Sequence, residues 1–315
     1  MFTIDKATRD STGVFLAGEL ERVDQTLNLP LVSFKWNRDM SLRSDVSIAD
    51  EVSSFTNTDL AAMGGVNPNG KNWIGKNSTA VSGISLNIEK TPQPLTLWGM
   101  EIGWTLPELA SAQQVGRPID TQKYDTMQLK WNMDVDEQVY IGDAELDMTG
   151  LLNLPQVTPR AAAAAWTKAT PPDDIVADIN ILLTDAWLAS GYAICPRKIG
   201  LAPELFGLLV SKKVSDAGNI SVLEYIKINT IAFQENGEAL EIVSMKWASK
   251  RGARGAHRIV AYTQEEKYIR FPLVPLLNTP LEPRGLYQLT TYYGRLGQVE
   301  VPYANTIAYL DIPAS

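Results

Sequence analysis

Residues 137–155 read EQVYIGDAELDMTGLLNLP, and the fold turns on where the helix entering this stretch stops. Upstream, Tyr124, Met127, Trp131, Val135 and Val139 recur at steps of three and four, which lays one apolar stripe along a helix. Gly142 ends it, because glycine takes the left-handed conformation of a helix C-terminus without a Cβ clash. Six carboxylates crowd the junction: Asp134, Asp136, Glu137, Asp143, Glu145 and Asp147. A calcium loop would need glycine at its sixth position, and counted from Asp134 the sixth residue is Val139. The cluster reads as a solvated helix end and loop.

Working outward, Leu95 to Trp104 reads as a strand running into a helix with Pro107 in its first turn. Before it, residues 38–90 are rich in Ser, Asn, Asp and Gly, with too few apolar side chains to pack a core of their own. A structureless loop of that length is improbable inside one compact domain, so the stretch is either disordered or ordered by neighbouring molecules. The first 37 residues look like an arm, with Leu16, Leu20, Val23 and Leu27 at helical spacing. Downstream, PPDDIVADINILLTDAWLASG predicts a helix with acidic residues at its start and a face of Ile175, Ile179, Leu182, Leu183, Ala186 and Trp187. Ser221 and Glu224 form a capping box for VLEYIKINTI, and from Glu241 the chain is mostly β. Helices in the middle with strands on both sides predict an α+β fold.

Composition narrows the function. With 28 basic and 36 acidic residues the formal charge is −8, unsuited to wrapping nucleic acid with the bulk of the surface. Cys195 is alone, which excludes an internal disulfide, and it reads as a small buried apolar residue. A lone His257 cannot supply a histidine-based metal site. No nucleophile elbow or HExxH helix occurs, so no catalytic residue, metal or cofactor is expected. No secretory signal and no membrane span are expected either.

Two stretches remain. In GVNPNGKNWIGKN, Gly65 to Lys71 and Gly70 to Lys76 each match the opening of a phosphate-binding loop. Asn72 and Asn77 stand where magnesium needs a Ser or Thr hydroxyl, and no helix is predicted to follow. The basic patch KWASKRGARGAHR carries Lys246, Lys250, Arg251, Arg254, His257 and Arg258 on what reads as a flexible loop between strands. It could contact nucleic acid, or pair with acidic groups of its own fold or a neighbour; with no aromatic platform nearby the second reading is favoured.

The order of EIGWTLPELASAQQVGRPIDTQKYD, EQVYIGDAELDMTGLLNLP, SVLEYIKINT, RIVAYTQ and GQVEVPYANTIAYLDI resembles the major capsid proteins of tailed bacteriophages with the Hong Kong-97 fold. The resemblance covers about residues 30 to 312, and the GD…TGLLN junction is its most specific part. It implies an N-terminal arm (1–37), a two-stranded extension loop (38–93) lying on the adjacent subunit, a peripheral domain with a spine helix (94–157 and 285–315) and an axial domain (158–284). It further implies hexamers and pentamers of an icosahedral head around double-stranded DNA, located in the virion capsid and made in the bacterial host cytoplasm. Portal, decoration and separate scaffolding proteins would be partners. Lys71, Trp73 and Lys76 then fall near the loop tip, and Lys250, Arg251 and Arg254 near a symmetry axis, as candidate subunit contacts. Within the same fold an encapsulin-type compartment shell is the alternative; outside it, a phosphate-binding enzyme using Gly65–Lys71.

Overall fold

The computed structural model describes residues 30–62, 84–115, 119–215 and 219–314. The long helix spans Ile119–Tyr140, and the chain beyond it folds back to close its C-terminus. Gly142 lies at φ 77°, where an added Cβ would sit 2.2 Å from the Met148 carbonyl oxygen. At Gly150 an added Cβ would sit 2.4 Å from the Ile141 nitrogen. Because both positions lack a Cβ, the N–H groups of Leu151 and Leu152 reach the carbonyls of Val139 and Tyr140 at 2.8 and 3.0 Å. The Asn153 amide donates to the Ile141 carbonyl at 2.6 Å. These are carbonyls that a helix end leaves without intrahelical partners. Leu151 and Leu152 are themselves fully buried, so TGLLN is cap and core at once.

The strands are β1 (Leu42–Arg43), β2 (Val52–Ala62), β3 (Ile84–Pro94), β4 (Thr96–Thr105), β5 (Arg160–Ala161), β6 (Lys198–Leu201), β7 (Glu241–Ser244), β8 (His257–Tyr262), β9 (Phe271–Asn278), β10 (Glu282–Arg284), β11 (Tyr287–Leu296) and β12 (Ala308–Ile312). One five-stranded sheet runs β5-β12-β8-β6-β7; a second runs β1-β9-β11-β10 with β4 paired to β11. A third sheet is the ribbon β2-β3 alone, antiparallel from Val52↔Pro94 to Ala62↔Ile84. The polar stretch is therefore not structureless at 52–62 and 84–94: cross-strand backbone pairing replaces the apolar side chains it lacks.

The chain divides into two compact units. The larger takes in Ser33–Gly99, Trp131–Leu277 and Tyr292–Ser315. Its centre is β8, buried at every residue and flanked antiparallel by β12 (Leu310↔Ile259) and β6 (Ile199↔Ala261). The helix Pro172–Ala189 buries Ile175, Ile179, Leu182, Leu183 and Ala186 in this core, each large aliphatic worth about 1.5–3 kcal/mol on burial. Trp187, expected on that face, is half-buried and meets Tyr192 edge-on, centroids 5.0 Å apart. Ser221 caps its helix by accepting from the Glu224 N–H at 3.2 Å. That helix ends at Ile228 and not Ile231, because Thr230 is extended and a separate helix, Ile231–Asn236, begins.

The smaller unit includes Met100–Lys130 and Asn278–Thr291. Here Thr105 and Glu108 form a reciprocal cap on the helix Leu106–Val115: Thr105 Oγ1 accepts from the Glu108 N–H at 3.1 Å, and Glu108 from the Thr105 N–H at 3.4 Å. Lys123 ties the long helix to it through Glu108 (2.8 Å) and the Gly103 carbonyl (2.9 Å). Tyr124, read as part of the apolar stripe, is exposed, whereas Met127, Trp131, Val135 and Val139 are buried. Of the C-terminal strands, β11 pairs with β4 and β12 joins β8 in the other sheet.

Candidate assembly surfaces

Gly65–Asn77, with Lys71, Trp73 and Lys76, lies outside the described residues. Its flanks are described: β2 enters and β3 leaves, antiparallel partners. A phosphate loop opens a helix, whereas the next described element after this stretch is the strand β3 from Ile84.

The basic loop joins β7 to β8 and is an ordered structure, contrary to the flexible turn that its glycines suggested. Gly252 N–H donates to the Ala256 carbonyl at 2.7 Å, and Ala253 N–H to Asp311 Oδ2 at 3.3 Å. A Cβ at Gly252 would lie 2.6 Å from the Asp311 carboxyl carbon, so only glycine lets the loop close on that side chain. Below it, Arg258 grips Asp311 through two bonds of 2.8 and 2.9 Å and donates to the Leu152 carbonyl at 2.7 Å. Hydrogen bonding to Asp311 raises the Arg258 pKa above its ordinary value. Arg258 also stands over the Tyr309 ring at 4.9 Å. His257 is buried, its Nδ1 accepting from the Lys250 N–H at 3.5 Å.

Apart from the buried His257, the basic residues therefore separate into two groups. Lys246 pairs with Asp136 at 2.9 Å and Arg258 with Asp311, so these cations serve their own fold. Lys250, Arg251 and Arg254 form no ion pair with another described residue, and Lys250 and Arg254 are exposed. Both adopt left-handed backbone, φ 53° and 57°, which costs roughly 1–2 kcal/mol per residue for a side chain with a Cβ. The loop thus presents an exposed basic tip of strained backbone on a hydrogen-bonded base.

Two buried carboxylates, which the sequence did not distinguish from solvated ones, fasten the segment 33–43 to the body. Asp136 is 1% exposed and accepts from Lys35 N–H (2.8 Å), Trp36 N–H (3.2 Å) and Trp247 Nε1 (2.8 Å), besides Lys246. The reading of this acidic cluster as solvated fails at Asp136. Asp39 is fully buried and meets Arg38 at 2.7 Å, Lys198 at 3.2 Å and the Tyr140 hydroxyl. Burial, then the Asp39 charge, pushes the Tyr140 and Tyr262 hydroxyls well above their ordinary pKa. Asn132, Asp136 and Tyr140 are spaced four apart beside the apolar stripe, a signal that could have exposed this polar seam. No group of three or more His, Cys, Asp or Glu among the described residues is placed to hold a metal ion, and no described helix is long and apolar enough to cross a membrane.

With a self-paired ribbon, a capped long helix and a sheet bearing the basic loop, the chain has the Hong Kong-97 fold. The chain superposes on the capsid of Myoviridae phage XM1 with a TM-score of 0.76 at 19% identity, covering 96% of this chain and 100% of the other. It superposes on the capsid of a native GTA particle at 0.65 and 13% identity, covering 99% and 100%. With a virus-like particle from Pyrococcus furiosus the values are 0.51 and 10%, covering 87% and 91%. No curated protein matches the chain by sequence. Over residues 70–312 the sequence matches the family model described as Major capsid protein, and the chain belongs to that family: it is a major capsid protein of the phage type, a structural component of the virion capsid.

Proposed function

We propose that the chain assembles with copies of itself into hexameric and pentameric capsomers of an icosahedral phage head that encloses double-stranded DNA. The ribbon carries this reading. Its strands are eleven residues each and pair only with one another in a sheet of their own. A lone two-stranded hairpin is marginal in water and needs a third strand or a packed face. A neighbouring copy supplies that support when the ribbon lies across it as the extension loop (38–93). The sheet bearing β8 and the basic loop takes the axial role, and β12 goes with it. The long helix and β4 take the peripheral role, and residues 1–37 the arm. A separate scaffolding protein, portal and decoration protein join the same assembly, which forms in the host cytoplasm.

Electron microscopy of the purified protein tests the proposal. Closed shells built of five- and six-membered rings are expected, and a protein that stays monomeric at high concentration would refute it. Trp73→Ala examines the tip directly. If Trp73 anchors on a neighbour, truncation costs on the order of 2 kcal/mol of contact, typical of an aromatic hot spot, and lowers particle yield; unchanged yield and stability would remove the anchor.

A further inference from the structure

The root of the ribbon is held by an unusual buried charge. Glu300, ahead of β12, is fully buried and forms an isolated antiparallel bridge with Arg270. Its carboxylate accepts from Arg270 Nε at 2.8 Å, from Arg43 Nη1 at 3.1 Å and from the hydroxyl of Ser53. Ser53 is the second residue of β2, 4% exposed, and Arg43 also donates to the Ser54 carbonyl at 3.1 Å. A second peg lies four residues further out, where the Asn57 amide donates to the Pro302 carbonyl at 3.1 Å. Between these pegs the ribbon is not sealed to the body. A cavity of about 210 Å³ lies beneath it, lined by Phe55 and Thr91 from the ribbon and Gln298 and Val301 from the body. Where packing is incomplete, the direction of a rigid element is fixed by its polar contacts.

From this geometry we infer that Glu300 is the positioning residue of the ribbon: through Ser53 and Arg43 it locks the angle at which β2 and β3 leave the body. The inference rests on the assembly reading above, because an angle matters only if the ribbon must land on a neighbour. A buried carboxylate serves this purpose better than an apolar contact. Two guanidiniums and a hydroxyl around one anion permit a single orientation, whereas apolar surfaces slide at little cost. Arg43 is engaged on its other edge by Asp45 at 2.7 Å, so the latch also reaches the exposed turn before the ribbon.

Ser53→Ala is the informative variant, since it leaves both arginines paired with Glu300. Ser53 also accepts from Arg43 Nη1 at 2.8 Å, so the variant loses two hydrogen bonds to charged groups. It is expected to raise the concentration required for shell formation at least about tenfold, and to broaden the particle size distribution. In the same variant, amide exchange at residues 52–57 should accelerate about tenfold while β8 and β12 keep the parental rates. Glu300→Gln should show both effects more strongly, with no further loss when Ser53→Ala is added. Shells from Ser53→Ala that match the parent in size and in assembly threshold would overturn the latch. Parental protein that forms no shells would overturn the assembly reading, and this inference with it.

Discussion

Replacing Asp136 by alanine opens the fastening of segment 33–43 at a single point, and its cost can be worked from the contacts. Three donors would lose their acceptor inside the protein: the N–H groups of Lys35 and Trp36 and the Trp247 indole. The Lys246 ammonium would lose its ion-pair partner too, but it keeps its bond to the Ser33 carbonyl and its side chain is 40% exposed, so that pair contributes little. Each stranded buried donor costs about 1–3 kcal/mol. Because the segment can shift and admit water to some of them, the lower end applies, giving a sum of about 3 kcal/mol. That loss falls on the local opening of the segment and not on the whole fold, since the sheet of β8 and β12 is held by its own pairing. An opening equilibrium made easier by about 3 kcal/mol is populated roughly 150-fold more.

Trypsin reads that population, because cleavage after Lys35 and Arg38 needs the segment released, and the rate follows the open fraction when opening is fast. Cleavage at those two bonds should therefore accelerate by about two orders of magnitude, with other sites unaffected. Asp136→Asn keeps one acceptor oxygen and should fall between parent and alanine variant. A rate within about threefold of the parent would refute the account of Asp136 as the anchor, whatever its distances.

Two further outcomes follow from the basic loop and the thiol. Reversing Lys250 and Arg254 to glutamate removes no ion pair with a described residue, so the thermal midpoint of the subunit should move by less than about 2 °C, while shell assembly falls sharply; full assembly would detach the tip from any subunit contact. Burial pushes the Cys195 thiol up to about 11, so alkylation should be negligible at pH 8 and rapid in denaturant. Its sign in stability is fixed: the folded pKa exceeds the unfolded value, so nothing is lost below pH 9, and stability falls as the pH rises from 9 towards 11. Rapid labelling of the folded protein at pH 8 would contradict the burial.

What could be read from the sequence, and what could not, divides by the distance over which each feature is encoded. The long helix, the helix Pro172–Ala189, the Ser221 cap and strand β4 depend on residues a few positions apart, so periodicity and capping chemistry sufficed. Gly142 was legible as a helix stop, but the reason for Gly150 was not. It admits Leu151 and Leu152 to the helix carbonyls only once the chain has turned back. The ribbon was hidden for a related cause: without a core, its strands lack the alternation that betrays a half-buried sheet, and only the resemblance implied pairing.

The buried carboxylates were the least accessible. Asp136 meets Lys35 across 101 positions, Asp39 meets Tyr140 across 101, and Glu300 meets Arg43 across 257. Only Asp136 carries a local hint, its four-residue spacing with Asn132 and Tyr140; nothing local tells Asp39 or Glu300 from a carboxylate bound for water. Yet these are the groups that fasten the exposed reaching parts, the segment 33–43 and the ribbon root, to an apolar sheet. This division of labour suits a shell protein. The core, formed by hydrophobic burial, need only be stable, and tolerates small adjustments of packing. Elements that must meet a neighbour need a direction as well as stability, and a direction is specified by a few charged hydrogen bonds at the root. The same division holds at the basic loop, where Asp311 supports the loop from beneath while Lys250 and Arg254 at its tip form no ion pair with a described residue and are left available for a neighbouring copy in the proposed assembly.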